Sequence, residues 1–471
     1  MKIKDFKGKK ITIIGLGLHG GGLGTAKFFS QAGAKVLVTD LRSKEELKEP
    51  IKKLKGKSIK FVLGQHRSED FINTDLVIKN PAVSGKSRYL EIAEENNVPI
   101  ETDISVFFEL CPSPIIGITG TKGKSTTASL IAEFLKKKYS EVTLAGNIRI
   151  SVLRKLNKIN KDGLAVLELS SWQLNGLKIH QKSPHFAVIT NILPDHLNRY
   201  KNMDAYIKDK KEIFKWQKRN DYLILNYDDR TVRGLAQEAK SQVFYYSQDN
   251  GIIFDSNNIG LGAVVKGEKI FFGQNKEVCS LDEIKLRGRH NMSNVLAAIT
   301  VAKLYEVTNK SIVKVLNKFK GLEGRLEFID TVDGVKYFND TTATIPEACL
   351  ASLNSFSIKQ NIILIAGGAD KNLDFGQLAE MIIKKVKALI LLNGTATAKL
   401  KKAVDRQKEL TGKELQIIGP LDDMKEAVMH AQRQTEVKDV VLLSPACASF
   451  GLFKHEFDRG EQFNKAIASL S

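Results

Sequence analysis

The run Gly120-Thr121-Lys122-Gly123-Lys124-Ser125-Thr126 constrains this chain more than any other stretch. It follows the apolar Ile115-Ile116-Gly117-Ile118 and leads into the helix-prone residues 127–135, so it reads as a strand, a glycine turn and a helix start. Such a turn grips phosphate. Its glycines let backbone N–H groups approach the oxygens, the helix N-terminus adds partial positive charge, Lys124 reaches the terminal phosphates and Ser125 can ligate Mg²⁺. The general phosphate loop has a glycine five residues before the Gly-Lys pair, where this chain has Ile118, so the run is the tighter Gly-Thr-x-Gly-Lys-Ser variant. The competing reading is an ordinary glycine turn with a surface lysine, and the order strand, turn, helix argues for the phosphate grip. A strand that hands over to a helix in this way belongs to a parallel sheet with helices on its faces, which makes the fold class α/β.

At 471 residues the chain exceeds one core, and about 150 residues per domain predicts three. No apolar run reaches the roughly 18 residues of a membrane span. The start is basic, but Ile11-Thr12-Ile13-Ile14 is too short and too soon broken by glycine for a signal sequence, so a cytoplasmic location is expected. Cys111, Cys279, Cys349 and Cys447 lie far apart and predict neither a disulfide framework nor a zinc site. The formal charge of +19 raises nucleic acid as a partner. Yet the lysines are scattered along predicted helix faces without aromatic interleaving, which favours a solvated surface that attracts small anions, with no nucleic acid.

The first segment alternates strands and helices: Lys10–Ile14, the turn Gly15-Leu16-Gly17-Leu18-His19-Gly20, a helix over 25–31, and the strand Lys35–Asp40. Gly15, Gly17 and Gly20, with Asp40 about twenty residues further on, form the fingerprint of a dinucleotide site. Alone it does not separate NAD from another nucleotide, and a dehydrogenase stays as a remote alternative. In the second segment, the buried strand ending in Glu168 places an acid where one sits near a metal, or where one caps a helix. His196 follows the strand Ala187–Asn191 and is a further candidate. Residues 206–216 read as an amphipathic helix whose lysines periodicity assigns to solvent. Residues 243–286, with Gly251, Gly260, Gly262 and Gly267, predict an antiparallel meander. Asn291 and Asn294 lie one turn apart at the start of a long helix, where they could hold an adenine or ribose edge or, for Asn291, a cap. The third segment repeats strand and helix, with polar turns at Asn339–Thr344, Gly367–Lys371 and Ser444–Ser449.

Two nucleotide-type sites and a third α/β domain point to an enzyme that joins two substrates using ATP. Taken together, Gly120 to Thr126, Glu168 to Gln173, Asp195 to Tyr200, His290 to Asn294, Gly324-Arg325, Asn339-Asp340 and Ser444 to Ser449 resemble the Mur ligases, in order along the chain. Other members and the folylpolyglutamate synthases share the central motifs but not a start like Gly15, Gly17 and Gly20; the likeness is to the members that add glutamate. The resemblance implies three domains: a Rossmann-like UDP-binding domain at 1–103, a central phosphate-loop domain with a small antiparallel meander at 104–321, and a Rossmann-like domain for amino acid and ATP at 322–471. It implies D-glutamate ligation to UDP-N-acetylmuramoyl-L-alanine in peptidoglycan synthesis, through an acyl phosphate, by a monomer that uses ATP and two Mg²⁺. The same chemistry with L-glutamate or another amino acid is the alternative.

By motif match, Lys124, Glu168, His196 and Lys210 are catalytic, and Ser125, Glu168, His196 and a carbamylated Lys210 hold metal. Gly120, Thr121, Lys122, Gly123, Lys124, Ser125, Thr126, Asn291, Asn294, Arg325 and Asp340 match ATP positions. Gly15, Gly17, Asp40, Leu41, Arg42, Asn80, Asn147, Ser170 and Gln173 match positions lining the UDP-sugar, and Thr344, Lys371 and Ser449 match the amino-acid pocket. The pattern departs at Thr342, where the family usually has lysine, and at Glu456, where it usually has phenylalanine. Losing a cation and gaining an acid is expected to weaken the grip on a dicarboxylate.

Overall fold

The computed structural model describes residues 1–17, 21–81, 83–147, 151–195, 200–249, 259–286, 288–357 and 361–470. These gather into two compact units, one of Met1–Ile192, Asp204–Leu281 and Asn294–Val315, the other of Leu193–Met203, Asp282–Ser293 and Leu316–Ser471. The fold is α/β with three successive sheets, two in the first unit and one in the second.

The first sheet holds β1 (Lys10–Ile14), β2 (Lys35–Asp40), β3 (Ile59–Leu63), β4 (Leu76–Lys79) and β5 (Ile100–Thr102), all parallel in the order β3-β2-β1-β4-β5. The order reverses between β1 and β4, and such a switch opens a crevice at the carboxyl ends of the strands. The turn after β1 and Asn80 after β4 meet there: Asn80 Nδ2 donates to the Gly15 carbonyl at 3.2 Å. The helix after that turn spans Gly21–Gln31.

The second sheet runs β14-β13-β12-β11-β10-β9-β6-β8-β7. Its parallel part is β6 (Ile115–Thr119), β7 (Val142–Gly146), β8 (Leu164–Glu168), β9 (Phe186–Ile189), β10 (Tyr222–Asn226) and β11 (Gln242–Ser247). β6 and β8 are buried along their whole length, which is why they read as unbroken apolar runs. The antiparallel annex, β12 (Ile259–Lys266), β13 (Lys269–Phe272) and β14 (Lys276–Ser280), is shorter than expected. β11 is parallel to both its neighbours, and the helical turns Arg230–Gly234 and Leu235–Glu238, which carry the chain back after β10, account for its direction relative to β10. Gly260 and Gly262 are strand residues and not turns: a Cβ on Gly260 would stand 2.4 Å from the Phe244 ring, and one on Gly262 would stand 2.7 Å from Thr300. Gly251 lies outside the described residues.

The third sheet runs β15-β16-β20-β17-β18-β19, from β15 (Glu327–Val332), β16 (Val335–Asn339), β17 (Ile362–Ala366), β18 (Val386–Leu392), β19 (Gln416–Leu421) and β20 (Val440–Leu443). It is parallel apart from the hairpin β15–β16, closed by Asp333 and Gly334 at positive φ. β15 escapes sequence reading because it is half exposed. Both faces of the sheet are covered: Phe338, Leu364, Leu389 and Leu442 pack on one side and Tyr337, Ile365, Ile390 and Leu443 on the other. Leu364→Ala is expected to cost about 2–5 kcal/mol. Leu410→Ala, at a position 68% exposed, is expected to stay within about 0.5 kcal/mol of the parent. Urea unfolding followed by circular dichroism measures both.

Candidate active site

In the first unit β6 delivers the glycine turn to the N-terminus of the helix Lys124–Leu135. Gly120 and Gly123 have φ of 146° and 85°. A Cβ on Gly120 would lie 1.9 Å from Thr190 Oγ1, and one on Gly123 would lie 2.2 Å from Asn294 Oδ1, so neither position accepts a side chain. The end of β9 pins the turn. Thr121 N donates to the Asn191 carbonyl and Lys122 N to Asn191 Oδ1, both at 2.9 Å, while Thr190 Oγ1 and Asn191 Nδ2 donate to the Lys122 carbonyl at 2.6 and 3.0 Å. Lys124 Nζ folds over the turn, donating to the carbonyls of Gly120 at 3.0 Å and Thr121 at 2.8 Å. Thr126 is buried in the first helical turn.

Glu168 ends β8 and is 2% exposed. Its Oε2 accepts from Ser125 Oγ at 2.5 Å and its Oε1 from Asn147 Nδ2 at 3.0 Å. It caps no helix; the cap of the next helix, Ser171–Leu174, is Ser170, whose backbone N–H donates to Gln173 Oε1 at 3.1 Å while its hydroxyl accepts from Gln173 N. Gly146 brings β7 against the Glu168 backbone, where a Cβ would meet the Glu168 carbonyl at 2.1 Å.

Lys210, on the helix Met203–Lys211, is 1% exposed, against the solvent-facing assignment that periodicity gives it. Its Nζ donates to the Gly120 carbonyl at 2.9 Å and lies 4.5 Å from the centre of the Tyr206 ring, one helical turn earlier. Tyr206 OH lies 3.3 Å from Thr121 Oγ1. The helix thus presents a buried cation to the turn. Asn294 Oδ1 accepts from Thr127 Oγ1 at 3.3 Å, which joins it to the same helix start. His196 lies outside the described residues.

Among the described residues no group of three or more His, Cys, Asp or Glu could hold a metal. The Ser125 hydroxyl and Glu168 carboxylate do fit Mg²⁺, a hard cation that takes one or two protein oxygens and completes its shell with water and phosphate. Lys210 fits as a ligand only if its amine carries a carboxylate.

At the first sheet, Asp40 is buried, and its Oδ2 accepts from the N–H groups of Leu16 at 2.9 Å and Gly17 at 3.2 Å. Its Oδ1 accepts from Arg42 N at 3.0 Å. These three bonds make the Asp40 carboxylate the centre around which the glycine turn is shaped. Leu41 beside it is 66% exposed.

In the second unit the carboxyl ends of β16, β20 and β17 adjoin, which gathers the three polar turns. Lys371 Nζ donates to Asp195 Oδ1 at 2.9 Å and to Thr344 Oγ1 at 3.4 Å. Ser449 is buried next to Ala448, whose backbone pairs with that of Ala369. Asp340 is fully enclosed: it accepts from Ser352 Oγ and Ser444 Oγ at 2.5 and 2.9 Å and from Leu326 N at 3.0 Å. Burial pushes its carboxyl up to about 6, against those bonds and the nearby Arg325. Asp340 therefore ties the turns together. Asn291 is buried in the first turn of the helix Arg289–Leu304. Thr342 donates its hydroxyl to the Gly324 carbonyl at 3.0 Å. The ion pair to Asp195 and the lock at Thr190 and Asn191 escape motif reading, because a strand-end polar residue carries no spacing signal of its own.

Three family profiles match this chain: the Mur ligase MurD-like N-terminal domain over residues 9–102, the Mur ligase middle domain over 118–302, and the Mur ligase glutamate ligase domain over 324–447. The UDP-N-acetylmuramoylalanine–D-glutamate ligase of Roseiflexus sp. (strain RS-1) is 42% identical over 471 residues, covering 98% of this chain and 99% of the relative. The protein of the same name from Borreliella afzelii is 38% identical and covers 100% of each chain. Among solved structures, the UDP-N-acetylmuramate-alanine ligase MurC of Thermotoga maritima superimposes with a TM-score of 0.62 at 19% identity, over 98% of this chain and 100% of that one. The MurF ligase of the same organism gives 0.58 at 16%, over 100% and 97%. These two share the fold. With relatives this similar along its whole length, the chain belongs to the Mur ligase family and is an ATP-dependent amide-bond-forming ligase.

Proposed function

We propose that the chain joins D-glutamate to UDP-N-acetylmuramoyl-L-alanine, a step of peptidoglycan synthesis, with the acceptor carboxylate activated as an acyl phosphate. The observation that carries this reading is the Gly120 turn with Lys124 folded over it, Ser125 bonded to the buried Glu168, and Lys210 against the Gly120 carbonyl. The names of the full-length relatives support the choice of substrates. In this reading residues 1–103 hold the UDP end, 104–321 the ATP, and 322–471 the incoming amino acid.

A carboxylate is a poor electrophile. Its oxygen attacks the γ-phosphorus of ATP, the bond to the bridging oxygen breaks and ADP leaves with the electron pair. The glutamate amine then attacks the acyl carbon, loses a proton, and phosphate departs as the amide forms. Each residue answers a need of this sequence. Lys124 and the backbone N–H groups of the turn offset phosphate charge. Ser125 and Glu168 would hold Mg²⁺, which supplies Lewis-acid neutralisation of the clustered anions. A second Mg²⁺ would require oxygen from Lys210, which carbamylation provides; the family motif assigns His196 to the same metal. Asn147, bonded to Glu168, joins the carboxylate to the acceptor side. Lys371, Thr344 and Ser449 receive the amino acid, with Arg325, Asn291 and Asn294 on the nucleotide.

Phosphate release is expected to require both the UDP-sugar-alanine acceptor and D-glutamate; equal release with L-glutamate would sink the stereochemical part. Lys124→Ala should lower kcat by about 10²–10³, the effect of losing one charge-stabilising donor, while ATP-independent acceptor binding measured by calorimetry persists. Lys210→Ala should be inactive, with partial recovery on adding short carboxylic acids; full activity without additions would refute the carbamate.

A further inference from the structure

Among the described residues Arg459 is the largest fully buried side chain, at 0% exposure. Its guanidinium spends its N–H groups on neutral oxygens: Nε donates to Thr341 Oγ1 at 3.1 Å, Nη2 to the Thr341 carbonyl at 2.8 Å and Nη1 to the Cys447 carbonyl at 3.2 Å. Thr341 follows β16 and Cys447 follows β20, so one planar fork spans two turns that meet nowhere in sequence. Burying a cation whose hydrogen bonds reach only neutral oxygens is costly, and the carboxylates of Glu456 and Asp340 offset that cost only by attraction from further away. Burial accordingly lowers the Arg459 pKa to about 10. What arginine adds here that an apolar side chain would not is the fork that joins the two turns.

The helix that carries Arg459, Glu456–Ala468, is fitted to the first turn along one face. Thr341 Oγ1 donates to the Glu456 carbonyl at 2.5 Å, and Asn339 Nδ2 donates to the Gly460 carbonyl at 3.2 Å and to Asn464 Oδ1 at 2.9 Å. Gly460 sits in the helix interior, where glycine is unfavourable, because a Cβ would stand 2.8 Å from Thr341 Cγ2 and 2.9 Å from Asn339 Nδ2. Glu456 takes part through its backbone, so the exchange of phenylalanine for glutamate at that position leaves this bond intact.

We propose that Arg459 is a positioning residue for the incoming amino acid: its fork fixes the turn bearing Thr344 against the turn bearing Ser449, so that the two close on one ligand in register. This rests on the reading that these turns receive glutamate. The donors reach only protein atoms, so the effect passes through the backbone of residues 341–344 and 447–449.

The test separates activation from amide formation. With acceptor, ATP and hydroxylamine in place of the amino acid, activation alone is read as acyl hydroxamate; with D-glutamate, the whole reaction is read as phosphate. R459M and R459K are compared with the parent in both assays, with near-UV circular dichroism as the check on folding. Hydroxamate formation is expected to stay within about threefold of the parent, while KM for D-glutamate rises about 10- to 100-fold, the size of a lost buried hydrogen bond to a charged group. R459K keeps the charge without the fork and should show the same split with a smaller rise; it decides the matter if R459M loses its near-UV spectrum. Equal losses in both assays, or an unchanged KM for D-glutamate, overturn the proposal. A parent enzyme that forms hydroxamate yet ignores D-glutamate overturns the amino-acid assignment itself.

Discussion

The first unit depends on a lock between two strand ends. Thr190 and Asn191, at the end of β9, satisfy the backbone of residues 121 and 122, and the space they fill forbids a side chain at Gly120. A turn held open by its neighbours has its ordering entropy spent on folding and not on binding. The buried polar contacts proposed to serve catalysis are referenced to that turn: Ser125 leads to Glu168, Glu168 to Asn147, and Lys210 returns to Gly120.

The sheets and the phosphate turn were legible because their physics is local. Apolar runs such as 115–118 and 362–366 are buried on both faces, and glycines at positive φ mark their ends. Lys210 shows the limit. Lys208 on the same helix is exposed, whereas Lys210, four residues after the buried Tyr206, turns inward; a lysine at that spacing is read as solvated until its partners are known. The family motif singles it out; its burial comes from Tyr206, one turn earlier on the same helix, and from the Gly120 carbonyl, ninety residues away in sequence. The meander expected from residue 243 begins instead at β12, since the direction of β11 relative to β10 is set by the helical crossover before it and not by its own composition.

The two departures from the family pattern fall beside one brace. Thr342 turns its hydroxyl onto the Gly324 carbonyl, and Glu456 contributes its carbonyl to Thr341. Both positions serve the shape of the turn after β16 through bonds that do not need the usual side chain, and Lys371 supplies a cation from the turn after β17.

That cation is not bare. Lys371 rests on the carboxylate of Asp195, both largely buried, at 2.9 Å. An anion that takes Lys371 exchanges one carboxylate for another, so its gain is a difference between two similar attractions and not the whole of either. Dissolved salt screens both arms of such an exchange nearly alike, which makes selection there a matter of fit and leaves it little altered by ionic strength.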